Sequence, residues 1–81
     1  MKNIKEVLER LENMIGAEFD ENEIIVAFDS EEEVIVNKVE GQETNFEGHG
    51  LCDCYNAYEN TEESEVFAIY VNDDNKIVDI R

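Results

Sequence analysis

The chain has 81 residues and a formal charge of −16, from 22 acidic and 6 basic side chains. A pI near 4.1 excludes a nucleic-acid binder that works through a basic face and argues against an anionic membrane surface. Residues 1–81 make one small domain at most, and 42% apolar residues supply the material for its core.

The N-terminus, Met1-Lys2-Asn3-Ile4-Lys5-Glu6, has no apolar stretch of the signal-peptide kind. Ile4, Val7, Leu8, Leu11, Met14 and Ile15 fall on one helical stripe, so a helix is expected over residues 4–15. Asn3 and Glu6 have the spacing of a capping box, and Gly16 stands where a left-handed residue ends a helix. Beyond Gly16 the period changes. Residues 23–28, Glu-Ile-Ile-Val-Ala-Phe, are β-branched and short and read as a strand. Asp29, Ser30, Glu31 and Glu32 then make a polar turn into a return strand at 34–36.

Residues 40–50 hold three glycines and few apolar side chains and read as a loop. Strands are expected at 52–58, 66–71 and 77–80, separated by polar turns at 60–64 and 72–75. Connections this short require antiparallel pairing. The expected fold is α+β: one N-terminal helix packed on a four- or five-stranded, mostly antiparallel sheet of hairpins. In residues 66–71, Val66, Ala68 and Tyr70 share one face, and Phe67, Ile69 and Val71 the other. One helix covers one face. The second is left to loop cover, to solvent or to a partner, a second copy of the chain included.

The longest apolar run, 66–71, is far short of the roughly 20 residues of a membrane span. The two cysteines, Cys52 and Cys54, are too few and too close for a secreted disulfide framework. A cytoplasmic location with reduced thiols is expected, in a bacterial host cell.

The acids gather in groups at turns and strand ends. They are Asp20, Glu21 and Glu23; Asp29 with Glu31, Glu32 and Glu33; Glu59 with Glu62, Glu63 and Glu65; and Asp73 with Asp74. A net charge of magnitude about 2 to 8 keeps a small domain soluble, and the excess here destabilises a compact chain. Carboxylates two residues apart on a strand lie about 6.6 Å apart, close to the spacing of phosphates along one DNA strand. Such an edge can occupy the groove of a DNA-binding protein. The residues expected to stand in for phosphates are Asp29, Glu31, Glu32, Glu33, Glu62, Glu63, Glu65, Asp73 and Asp74. Phe46, Tyr55 and Tyr58 are the candidate apolar anchors. The expected partner is a basic DNA- or RNA-binding protein, with no direct contact to nucleic acid. The bland reading of the same charge is a solvated surface on a small acidic structural or dimerising domain.

His49, Cys52 and Cys54 put one imidazole and two thiols within six residues, the side chains that zinc prefers. The spacing is C-x-C with no second pair, and two cysteines on one strand face also suit a small buried position. A Cys52–His49 nucleophile is disfavoured because acidic surroundings raise a thiol pKa. No acidic turn fits an EF-hand, and no Gly-rich phosphate cradle is present. No cofactor and no enzymatic activity are expected.

Three stretches carry a resemblance to a known family. They are Met14-Ile15-Gly16 through Glu23-Ile24-Ile25-Val26-Ala27-Phe28-Asp29; the acidic turn ending in Glu33-Val34-Ile35-Val36; and Phe67-Ala68-Ile69-Tyr70-Val71-Asn72-Asp73 with Asn75-Lys76-Ile77. In these the chain resembles the phage-encoded uracil-DNA glycosylase inhibitors, small acidic proteins that mimic DNA. The resemblance implies an acidic DNA-mimic inhibitor of phage origin, a profile that anti-CRISPR and anti-restriction proteins share. The family's inhibiting edge strand precedes the matching region, so no residue here takes its role. Residues 40–59 have no counterpart in the family.

Overall fold

The computed structural model describes residues 4–62 and 64–81. Two helices, α1 (Ile4–Glu12) and α2 (Glu21–Phe28), precede four strands. The strands are β1 (Val34–Phe46), β2 (Gly50–Glu59), β3 (Phe67–Val71) and β4 (Ile77–Ile80). They form one antiparallel sheet in the order β1-β2-β3-β4, each pairing with its neighbour in sequence. The class is α+β as expected, with a second helix in place of a fifth strand.

Of the expected stripe, Val7 and Leu11 are buried, Ile4, Leu8 and Met14 pack beside them, and Ile15 is exposed. The regular helix stops at Glu12, three residues before the expected end. Met14 N–H donates to Leu11 O at 3.0 Å and Ile15 N–H to Glu12 O at 3.1 Å, so the last turn tightens to three-residue spacing. Gly16 takes the left-handed conformation foreseen for it, with φ 92°. Its N–H turns away from the helix to Ile77 O at 2.7 Å, which ties the end of α1 to β4. Asn3, the expected cap, lies outside the described residues.

The segment expected as a strand over 23–28 is α2. Asp20, extended at φ −142°, caps it by accepting from Asn22 N–H at 2.9 Å. Glu21 and Glu23 sit in its first turn, where the helix dipole favours negative charge. Ile24, Ala27 and Phe28 are buried, at the i, i+3, i+4 spacing of a helix face. Asp29 ends the helix in the left-handed region and donates its N–H to Val26 O at 3.0 Å. Residues 29–33 are therefore the link from α2 to β1, not the turn of a hairpin.

The expected loop over 40–50 is also corrected. β1 runs on to Phe46, and the chain turns only at 47–49. The β1–β2 register shifts between Val39 and Thr44, which pair with Cys54 and Cys52. The extra residues on β1 form a bulge, with Gly41 at φ 80°.

Both helices lie on one face of the sheet. Phe67, Ile69 and Val71 point toward them and join the core with Ile77 and Ile80. On the opposite face, Phe46 and Tyr70 are two strands and several residues apart by register, yet their rings meet at 5.1 Å. The bulged end of the β1–β2 hairpin thus curls over this face. The Arg81 guanidinium stacks at 5.2 Å from Phe46 and 5.4 Å from Tyr70 and is ion-paired with Asp79 at 2.8 Å. Cys52 and Cys54 are buried on this side. The second face is covered in part by the chain's own hairpin.

Candidate partner-binding surface

The register brings two acidic groups together that are about 30 residues apart in sequence. Val34 pairs with Glu59, so residues 29–33 and the β2–β3 turn stand side by side at one end of the sheet. Asn60 N–H donates to Glu33 O at 2.7 Å, and Asn60 Nδ2 donates to Glu33 Oε1 at 3.3 Å. Ser30 Oγ donates to Glu59 Oε2 at 2.5 Å and accepts from Glu32 N–H at 3.0 Å. Glu59 N–H donates to Ser64 Oγ at 2.8 Å. Glu59 is itself only 6% exposed, while Glu31, Glu32, Glu33, Glu62 and Glu65 face solvent. One buried carboxylate thus braces a cluster of exposed ones.

Among the described residues, Glu31, Glu32, Glu62 and Glu65 form no ion pair. Glu63 lies outside the described residues. This end also carries the C-terminus of α2, whose last turn holds no basic residue. The helix dipole disfavours negative charge there. The exposed carboxylates of Glu31, Glu32, Glu62 and Glu65 therefore gain nothing from the helix dipole.

Asp73 and Asp74 lie at the other end, about 17 Å away by the rise of five-residue β3. Their turn is held against the segment before α2. Phe19 N–H donates to Asn75 O at 2.8 Å, and Asn75 Nδ2 donates to Phe19 O at 3.2 Å. The same turn is shaped by Asn72, whose side chain accepts from Asp74 and Lys76 N–H. Glu18, Asp20, Glu21 and Glu23 line a cleft of about 860 Å³ here, with Phe19 and Tyr55 stacked at 4.4 Å in its wall. Of the nine residues expected as one phosphate-like set, the eight that are described are thus split between two poles.

The expected anchors separate as well. Tyr58 is half-buried and pairs with Ile35 beside the acidic end. Tyr55 is taken up by Phe19 and the core, and Phe46 by Tyr70 and Arg81. Of the exposed apolar residues not among the expected anchors, Val26 on α2 is the most exposed, at 74%. Its helical position was hidden by the strand-like run around it.

His49 is exposed in the β1–β2 turn, whereas Cys52 and Cys54 are free thiols inside. No group of three His, Cys, Asp or Glu among the described residues is placed to hold a metal ion. Burial pushes the Cys52 thiol above its ordinary 9.0, and the carboxylates of Asp73 and Asp53 push it the same way. It is a protonated thiol at neutral pH and a poor nucleophile. A raised folded-state value stabilises the fold fully below the unfolded pKa, and that stability is lost as pH rises through the folded value. Between pH 8 and pH 10 the wild type is therefore expected to lose more stability than Cys52→Ala, measured by urea unfolding. Parallel losses in the two proteins would remove this role from Cys52.

No family model, no curated protein and no solved structure matches this chain. No described helix is long and apolar enough to cross a membrane.

Proposed function

We propose that the protein is a non-enzymatic inhibitor of a DNA-binding enzyme, of the phage counter-defence kind, acting in the bacterial cytoplasm by occupying the enzyme's basic groove. The observation that carries this reading is the braced cluster at the β1/β2 end. Two acidic segments distant in sequence meet there, at the helix end where negative charge is least favourable. Acids kept only for solubility would be expected to scatter or to sit at the favourable helix N-terminus, as Glu21 and Glu23 do. In this reading Glu31, Glu32, Glu33, Glu62, Glu63 and Glu65 stand in for phosphates, with Tyr58 beside them as an anchor. Asp29 positions the first segment, and Asp73 and Asp74 extend the field at the far pole. At about 0.01 M salt the screening length is about 30 Å and both poles act together. At about 0.15 M it is about 8 Å, and the braced end acts alone.

The test has two stages. A tagged pull-down from bacterial lysate is expected to retain a DNA-processing enzyme that excess duplex DNA displaces. Reversal of Glu31, Glu32 and Glu33 to lysine is then expected to slow association with that enzyme about 10- to 100-fold at low salt. An unchanged association rate would sink the assignment.

A further inference from the structure

The β1–β2 hairpin divides at its bulge. Before the bulge, Val34, Ala57 and Glu59 are buried on the helix-facing side. Beyond it, residues 40–51 hold no buried side chain and none of them joins the core; only Thr44 and Phe46 are half-buried. A segment with so few buried contacts opens at low cost. What fastens it is a stack on the face without helices. Phe46 rests on Tyr70 with centroids 5.1 Å apart, and the Arg81 guanidinium lies 5.2 Å and 5.4 Å from the two rings. Each end of the segment carries a left-handed glycine, Gly41 at φ 80° and Gly50 at φ 76°. Nothing stands within 4 Å of where a Cβ would be at either one, so the backbone conformation alone calls for glycine there.

Two thiols lie on the same face. Cys52 pairs with Thr44, and Cys54 with Tyr70. They are 0% and 4% exposed on a side that no helix covers. Their burial requires another cover, and the hairpin end is the segment that reaches across this face to Tyr70. We propose that residues 41–50 are a hinged flap, latched shut by Arg81 on the Phe46 and Tyr70 rings, whose opening uncovers Cys52 and Cys54 while the helix-facing core stays folded. Opening breaks the pairs Thr44–Cys52, Asn45–Leu51 and Phe46–Gly50 and leaves β1 paired with β2 from Val34 to Val39. The surface so uncovered is apolar, two thiols and the ring of Tyr70. The flap stands at the opposite end of β1 from the braced acids and does not depend on the functional reading above.

The test is alkylation of the native protein by iodoacetamide, a small neutral reagent, at fixed pH, followed by mass spectrometry. Both thiols are expected to react through local opening, at a rate that low concentrations of urea barely raise. Arg81→Ala removes the latch. It is expected to raise the rate about 5- to 10-fold, as the loss of two cation–π contacts implies, with the urea midpoint of global unfolding unchanged. Phe46→Leu keeps apolar bulk but removes the ring beside the guanidinium, and is expected to act in the same direction. An unchanged rate in Arg81→Ala overturns the latch. A rate that climbs with urea as steeply as global unfolding overturns the flap, because the thiols are then reached only when the whole fold opens. A faster rate matched by a lowered midpoint in both variants overturns it as well.

Discussion

Truncation of Phe28 to alanine is expected to cost about 3–5 kcal/mol. Phe28 is the last residue of α2 and is 2% exposed. Its ring meets Phe67 of β3 edge to face, with centroids 5.6 Å apart at 79°, so it fastens the helix to the middle of the sheet. A chain of 81 residues has a total stability of about 4–12 kcal/mol by the usual per-residue range, already opposed by its own charge. The alanine variant therefore sits near the unfolding threshold. Phe28→Leu, which keeps most of the volume, is expected to lose much less. Urea unfolding followed by circular dichroism measures both. A loss under about 1 kcal/mol for Phe28→Ala would mean that α2 does not dock through this ring.

Ser30→Ala is expected to destabilise the protein by about 2–3 kcal/mol, a large effect for one surface-region hydroxyl. The hydroxyl donates to Glu59 at 2.5 Å, and Glu59 is nearly excluded from water. Removing it leaves a buried carboxylate without this donor and takes away the acceptor of Glu32 N–H. A half-satisfied pair costs more than one never made. The substitution leaves the net charge at −16, so any loss of partner affinity reports on placement of the acids and not on their number. The paired variant Ser30→Ala with Glu59→Leu is expected to recover part of the stability without restoring affinity. A stability change within about 0.5 kcal/mol for Ser30→Ala would show that the brace carries no weight.

The elements that were legible in the sequence are those whose period matches their burial. Val7 and Leu11 lie on a clean helical stripe, and Phe67, Ile69 and Val71 alternate with Ala68 and Tyr70. α2 was misread because Ile24, Ile25 and Val26 are β-branched. Their intrinsic penalty in a helix is under about 0.7 kcal/mol each, which burial of Ile24 and Phe28 outweighs. Asp20 and Glu23 have capping-box spacing and could have flagged the helix start. The second half of β1 was hidden for another reason. Residues 40–45 carry no apolar side chain and contain Gly41, and what makes this stretch a strand is the partner β2, not its composition.

The acidic groups were legible one by one, because each is local in sequence. Their grouping into two poles was not, since it depends on the pairing of Val34 with Glu59 and on the bonds between Phe19 and Asn75. Nothing in the sequence separates Glu59 from the other acids. Its burial follows from its place on the helix-facing side of β2, opposite Val34.

The order β1-β2-β3-β4 also sets how the chain can assemble. Every strand pairs with the one next to it in sequence, so each hairpin forms by closing a short loop, and the sheet can zip up from any of them. The distant closure is different in kind. Gly16, Ala17 and Phe19 must find Asn75 and Ile77 across most of the chain, and their hydrogen bonds have no meaning until β4 is in place. The segment after α1 thus works as a clasp. It closes a loop of most of the chain, far longer than any hairpin's, and in fastening it brings the far acidic pole together.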